Sequence, residues 1–244
     1  MADYSFELSE RDIHVWVLRI TASHTLASQF EPILSADELD RAKRFRFEHL
    51  QQSFAITRGA LRHLLGRYLG VAPHSIQFRY GLRGKPAVAS ATGIEFNITH
   101  SENLALVALT VKCPIGIDIE RIRPIQDMQS VAERFFSADE SREILSLPVD
   151  DRELAFFSCW ARKEAYIKAI GHGLHVGLDS FRVTVRPNEA ARLVHVTDEP
   201  NAPDEWSLED FHLSPQYTAA LAYRDRKRSV FVLPEINPDE LVHR

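Results

Sequence analysis

Pro114-Ile115-Gly116-Ile117-Asp118-Ile119-Glu120 stands near the middle of the 244-residue chain, and its reading decides how the rest is divided. Ile115–Ile119 reads as a strand. Pro114 before it is the candidate junction between two halves, residues 1–113 and 114–244. Side chains two apart on a strand share a face, so Asp118 and Glu120 point one way and Ile117 and Ile119 the other. Two adjacent carboxylates on an otherwise apolar strand repel each other and are tolerable in water or beside a cation. Hard oxygen ligands of this kind suit Mg2+, which commonly takes one or two carboxylates, waters and substrate phosphates. On the spacing alone a solvated strand face also fits.

Upstream, Ile13–Ile20 is apolar and β-branched and reads as a strand. Ser35 with Glu38 has the capping-box spacing, so a helix is expected to start there. A longer helix follows over about 50–69, stopped by Gly70 and Pro73. Strands are expected at 76–80, 96–98 and 104–111, with a Gly/Pro-dense turn over Gly81-Leu82-Arg83-Gly84-Lys85-Pro86. Downstream, helices are expected over 128–135 and from Ala138, the latter capped by Ser137 with Glu140. A third opens at Asp150 with Glu153 and ends at Gly171. Further strands are expected at 181–185, 193–196, 217–223 and 229–233. Helices and strands mix in both halves, which makes the fold class α+β.

Hydrophobic residues are 45% and charged residues 26%, the balance of a folded globular chain. No apolar run approaches the ~18 residues that span a bilayer. The opening MADYSFELSERDIHV has no basic region followed by an apolar stretch, and Cys113 and Cys159 form no disulfide framework or metal spacing. A cytoplasmic protein with reduced cysteines is therefore expected. A net charge of −5 gives little support to nucleic-acid binding. The charge is uneven: Arg41, Lys43, Arg44 and Arg46 cluster, as do Arg224, Arg226, Lys227 and Arg228. Solvated surfaces or sites for phosphate or an acidic partner both account for such clusters.

Three more stretches carry candidate chemistry. In Phe157–Lys168 (FSCWARKEAYIK), residues seven apart nearly superpose on a helix, so Glu164 continues the face of Phe157 and Lys168 that of Ala161. An acid and a base thus replace apolar groups on an apparent inner face, four residues apart and within mutual reach. A surface Glu–Lys pair near the helix end is the other reading. Phe96-Asn97-Ile98-Thr99-His100-Ser101 is a strand running into a polar cluster suited to phosphate or amide contacts, or to a hydrogen-bonded structural histidine. Lys85-Pro86 marks the turn.

Five blocks in order closely resemble the 4′-phosphopantetheinyl transferase family, in its double-length, surfactin-synthetase-activating type. They are Gly84-Lys85-Pro86, Phe96–Ser101, Gly116–Glu120, Phe135-Phe136-Ser137, and Trp160–Ala169 followed by Gly171, Gly173 and Leu174. The resemblance implies two similar α+β subdomains related by pseudo-twofold symmetry, with coenzyme A in the cleft between them.

It further implies Asp118, Glu120 and Glu164 as ligands of Mg2+, with Mn2+ the other ion to consider. Glu120 is the position that some relatives leave to water. Lys85, Pro86, Asn97, Thr99, His100, Asp118 and Lys168 match the family's coenzyme A contacts. Arg58 matches the group that holds the 3′-phosphate, assisted by Arg41, while Glu38 departs from a lysine in some relatives. Thr99 stands where relatives often carry serine.

The implied reaction moves phosphopantetheine from coenzyme A to a serine of an acyl or peptidyl carrier protein and releases 3′,5′-ADP. Glu164 is then the expected base, Lys168 the leaving-group partner, and Asp118 the third member of the catalytic set. The carrier, acidic and helical, is expected at residues 122–136, near Arg121, Arg123 and Arg134. Two fused halves make a monomer the natural expectation. A Mg2+-dependent phosphohydrolase or nucleotidyl transferase and a non-catalytic binding module are the competing readings.

Overall fold

In the computed structural model, residues 6–82, 84–171 and 177–242 are described. Arg83, Gly173 and Leu174, named above, lie outside them. In chain order the elements of the first half are β1 (Asp12–Arg19), α1 (His24–Phe30), α2 (Ala36–Lys43), α3 (Glu48–Leu69), β2 (Phe78–Tyr80), β3 (Pro86–Val88), β4 (Ile94–Ser101) and β5 (Leu104–Val111). The second half begins with β6 (Ile115–Arg121), α4 (Met128–Phe135), α5 (Ala138–Ser146) and α6 (Val149–Ile170). It continues with β7 (Phe181–Val183), β8 (Leu193–Val196), α7 (Ala202–Glu205), β9 (Ser207–Ser214), β10 (Tyr217–Tyr223), β11 (Ser229–Val232) and α8 (Asp239–Val242).

The fold is α+β and stacks in four layers. One sheet has the order β11-β1-β5-β4 and the other β6-β10-β9; β2-β3 and β7-β8 are short ribbons. Strict alternation on β1 and β5 builds two cores from one sheet. Trp16, Leu18, Ala105, Val107 and Leu109 pack with Ile56, Ala60, Leu61, Leu64 and Leu65 of α3. Ile13, Val15, Val17, Leu104, Leu106 and Ala108 face the other way, onto Ile115, Ile117, Ile119, Ala219 and Leu221 of the second sheet. The far side of that sheet, through Ala220 and Ala222, receives Ala161, Ala165 and Ala169 of α6. The two halves therefore share the core between the sheets.

Each half is built on one 22-residue helix that ends at a glycine in the left-handed region, Gly70 at φ 65° and Gly171 at φ 73°. Those stops were readable in the sequence because only glycine takes that conformation without strain. Both capping boxes also form, Ser35 with Glu38 and Ser137 with Glu140. Other expectations are corrected. Helix α6 starts at Val149, directly behind Pro148, rather than at Asp150. Strand β4 runs through Thr99 and His100 to Ser101, so the polar cluster lies on the strand and not beyond its end. Helix α1 and strand β9, seven and eight residues long, had no strong periodicity to announce them. The tail placed with the second half returns to the first: β11 pairs in parallel with β1, from Asp12↔Ser229 to Val15↔Val232, and Leu241 joins the α3 core.

Gly116 sets how closely α6 approaches β6. A Cβ at this position would lie 2.1 Å from the Ala165 carbonyl oxygen and 2.4 Å from the Ala169 nitrogen, both backbone atoms of the helix. Gly116→Ala must push the helix outward and is expected to cost about 1–3 kcal/mol, as overpacking does. Urea denaturation checks this: the midpoint should fall with an unchanged m-value.

Candidate active site

Strand alternation and the helix stripe converge where the halves meet. Ile117 and Ile119 are committed to the core between the sheets, which turns Asp118 and Glu120 toward α6. Asp118 is only 4% exposed. Its Oδ1 accepts hydrogen bonds from Lys168 Nζ at 2.5 Å and from Thr99 Oγ1 at 3.0 Å. Lys168 Nζ also donates to Thr99 Oγ1 at 3.1 Å and to the Ile117 carbonyl at 3.3 Å. One hydroxyl of the first half thus sits between an acid and a base of the second. The close partner of Lys168 is Asp118 across the helix–strand contact, not Glu164 one turn back.

Polar side chains of β4 form the seam that brings these groups together. Asn97 Oδ1 accepts the Ile117 amide at 2.9 Å, and Ser101 Oγ accepts the Arg121 amide at 3.2 Å on either side of the Thr99–Asp118 bond. His100 keeps an exposed surface, yet its crowded surroundings, and then the nearby Lys168, hold the imidazole below its ordinary pKa.

Electrostatically the site is overloaded with carboxylates. Burial raises the Asp118 carboxyl, against the pull of Lys168 and Thr99. Burial pushes the Glu120 carboxyl up to about 7, with Asp118 adding repulsion. The Glu164 carboxyl is raised by burial and then by Asp118. Asp118 Oδ2 and Glu164 Oε1 are buried and find no hydrogen-bond partner among the described residues.

The remaining expected residues lie apart from this cluster. Lys85 Nζ reaches into the second half and donates to the carbonyls of Ile115 and Lys168, each at 2.8 Å, and of Ala169 at 3.4 Å. Burial pushes its ammonium down to about 8, opposed by Glu95. Pro86 opens β3 and pairs with Tyr80.

Arg58 is buried on α3, stacked over the rings of Phe54 and Phe78, with its Nε 3.5 Å from Glu38 and its Nη1 without a partner among the described residues. Arg41 approaches Phe54 from α2. Of the two basic clusters, the later one is largely tied to acids, Arg224 to Glu205 at 2.7 Å and Arg228 to Asp225 at 3.0 Å.

Sequence reasoning missed Arg62 and Lys163. Arg62 Nε donates to Glu38 Oε2 at 2.7 Å, and its Nη1 reaches the Pro73 and Ile76 carbonyls. Lys163 pairs with Glu140 at 2.8 Å, both fully buried. The capping role of Glu140 was legible locally; its second partner, on another helix, was not.

Residues 114–222 match the 4′-phosphopantetheinyl transferase superfamily, and residues 22–112 match the 4′-phosphopantetheinyl transferase N-terminal family. The chain is 40% identical over 185 residues to the 4′-phosphopantetheinyl transferase HetI of Nostoc sp. (strain PCC 7120), covering 75% of this chain and 78% of that protein. This chain belongs to the 4′-phosphopantetheinyl transferase superfamily.

The 4′-phosphopantetheinyl transferase psf-1 of Bacillus pumilus is 34% identical over 196 residues, with 80% of this transferase and 81% of the relative covered. A solved holo-(acyl-carrier-protein) synthase of Bacillus anthracis in complex with CoA (3′,5′-ADP) matches at 27% identity and a TM-score of 0.36, over 45% of this chain and 93% of that one. In the present transferase the two matched regions flank Cys113, immediately before Pro114.

Thr99→Val removes the only hydroxyl shared by Asp118 and Lys168 among the described residues. It is expected to cost about 1–3 kcal/mol by leaving buried charged groups short of a partner. Thr99→Ser should retain the wild-type denaturation midpoint. Equal midpoints for both variants would show that the hydroxyl contributes nothing.

Proposed function

We propose that this transferase moves the 4′-phosphopantetheine arm of coenzyme A onto a serine hydroxyl of an apo acyl or peptidyl carrier protein, releasing 3′,5′-ADP. The observation that carries the reading is the Asp118–Thr99–Lys168 cluster, facing Glu164 and Glu120 where the two halves meet. The serine oxygen forms a bond to the β-phosphorus while the pyrophosphate bridge breaks, leaving its electron pair on the departing α-phosphate. Glu164, whose raised pKa suits it to receive a proton, is the base for the serine hydroxyl. Such assistance is worth about 10²–10⁴-fold. Lys168 lies one turn further along α6 and offsets charge on the departing phosphate.

The carboxylates fit a divalent cation in a specific sense. They do not form a closed cluster of three ligands among the described residues. Two of them nevertheless present buried oxygens that lack partners among the described residues, Asp118 Oδ2 and Glu164 Oε1. Mg2+ commonly needs no more protein ligands than that, completing its octahedron with waters and substrate phosphates. Asp118 and Glu164 would hold it, with Glu120 alongside, and when bound it would neutralise pyrophosphate charge. Mn2+ has the same oxygen preference.

The coenzyme A contacts follow the two clusters. Thr99, His100, Asn97 and Lys168 line the phosphate end, Pro86 flanks it, and Arg58 with Arg41 takes the 3′-phosphate, tempered by Glu38. The carrier docks on 122–136: Arg134 and Phe135 stack together, Phe135 meets Trp160 edge-on, and Arg123 lies over Phe157. A monomer is the working unit, since one chain supplies both sides of the site. The cytoplasmic reading has its support in two free, buried cysteines. No helix among the described residues is long and apolar enough to cross a membrane.

Intact-protein mass spectrometry of an apo carrier incubated with this transferase, coenzyme A and Mg2+ tests the function. A mass gain of one phosphopantetheinyl group, abolished by EDTA, is expected, and no gain across fatty-acid, polyketide and peptide carriers would refute it. Glu164→Gln and Asp118→Asn should abolish the gain with circular dichroism unchanged. Transfer at the wild-type rate by either variant would remove that residue from the catalytic set.

The pH dependence has a definite sign. A carboxyl raised from 4.5 to about 7 gives the folded state stability that is complete below the unfolded value and lost as pH rises through about 7. Glu164 and Asp118 shift in the same direction. Metal-free protein should therefore melt lower at about pH 8 than at about pH 5, and Mg2+ should raise the melting temperature more at the higher pH.

A further inference from the structure

Lys85 belongs to the first half by sequence and to the second by contact. The turn that carries it is closed by two backbone bonds, Gly81 amide to Lys85 carbonyl at 3.0 Å and Gly84 amide to Gly81 carbonyl at 2.9 Å, with Gly84 at φ 79°. From there the side chain crosses to the place where α6 ends over the start of β6. Its acceptors are the carbonyls of Ile115, the first residue of β6, and of Lys168 and Ala169 in the last turn of α6.

The last carbonyls of a helix have no partner within it. Here the Ile167 carbonyl is met by the Gly171 amide, and the next two are met by Lys85. The ammonium also stands at the negative end of the helix dipole. An ammonium has three donors, and here all three are directed at backbone carbonyls of the other half.

Both elements that Lys85 joins carry the active site. Ile115 lies three residues before Asp118, and the Lys168 carbonyl belongs to the residue whose Nζ meets Asp118 and Thr99. Next to Ile115 stands Gly116, where a Cβ would run into the α6 backbone at Ala165 and Ala169. We propose that Lys85 is a positioning residue that clamps the end of α6 to the start of β6 from the opposite half, fixing Lys168 against Asp118 and Thr99. Its turnover consequence rests on the transfer reading above; the clamp itself does not.

Lys85→Met keeps the aliphatic stem and removes the ammonium, and two measurements on it separate the clamp from a direct phosphate contact. Hydrogen–deuterium exchange of the full chain, with no carrier present, should quicken at residues 165–171 and 115–118. At saturating coenzyme A and Mg2+, turnover should fall by between about 10- and 100-fold, the range that a small misplacement of a reacting group causes. The dissociation constant for coenzyme A, measured by calorimetry, should stay within about twofold of wild type, well under the tenfold that 1.4 kcal/mol represents. Unchanged exchange together with a dissociation constant raised by about tenfold or more and full turnover at saturation would overturn the proposal. Unchanged exchange and turnover together would also overturn it.

Two controls keep the test decisive. Converting Lys85→Cys to its aminoethyl thioether restores an ammonium at similar reach and should recover turnover. In the wild-type protein, the side-chain NMR signal of Lys85 should hold its position as coenzyme A is added. Movement matching that of the Lys168 signal would overturn the clamp even if the variants failed to fold. If no carrier is modified by the wild type, the transfer reading fails, while the exchange result still decides the clamp.

Discussion

Helix α6 lies so close on strand β6 at Gly116 that no side chain fits between them, and the site is a consequence of that approach. A helix riding higher, on an intervening methyl group, would carry Lys168 away from Asp118. Burial of Asp118 would then be offset only by neutral donors such as the Thr99 hydroxyl, and a buried carboxylate without its counter-ion is expensive. The contact also explains the small residues on that side of the helix. Ala161, Ala165 and Ala169 repeat every four positions and are 0%, 0% and 5% exposed. They form the stripe on which the helix is seated, and the charged residues between them are aimed elsewhere.

Arg162, Lys163 and Glu164 are consecutive, and successive residues on a helix point about 100° apart. Each therefore meets a different part of the protein. Arg162 donates to Asp210 on β9 and to the Thr184 carbonyl. Lys163 is enclosed with Glu140 from α5 and donates to the Leu178 carbonyl at 2.7 Å. Glu164 faces the carboxylates of β6. Buried ion pairs add little net stability, because desolvation consumes most of the attraction, but losing one partner costs about 3–5 kcal/mol. Arg162 and Lys163 thus lock the rotation of α6 about its axis, and that rotation aims Glu164.

How much of this could be read from the sequence depended on the range of each interaction. Ser35 with Glu38, Ser137 with Glu140, and the stops at Gly70 and Gly171 are settled within a few residues, and all appeared as expected. So did the shared face of Asp118 and Glu120, since strand alternation is local and Ile117 and Ile119 had only one place to be buried. Lys85 showed a basic residue in a turn and nothing of its acceptors, which lie 30 and 83 residues away. The return of β11 to β1 pairs residues more than 200 positions apart and left no trace in the periodicity of either. Resemblance between sequences supplied the family; it could not supply these contacts.

The cluster around Arg58 shows what a change of charge does when it is built into a scaffold. Glu38 is not a solvated acid that could swing aside: its Oε2 accepts the Ser35 amide as a helix cap at 3.0 Å and pairs with Arg62 at 2.7 Å. Those two commitments hold the carboxylate in place and leave Oε1 facing Arg58 at 3.5 Å, too long for a well-formed hydrogen bond. Arg58 consequently keeps a buried Nη1 without a partner among the described residues, while its guanidinium lies over the rings of Phe54 and Phe78. With Arg41 also over Phe54, three guanidinium groups gather about Glu38 and the cluster remains cationic. Glu38 therefore weakens the field that an anion would meet there without cancelling it. The same carboxylate cannot be removed freely, because helix α2 depends on it for its cap and Arg62 for its counter-ion.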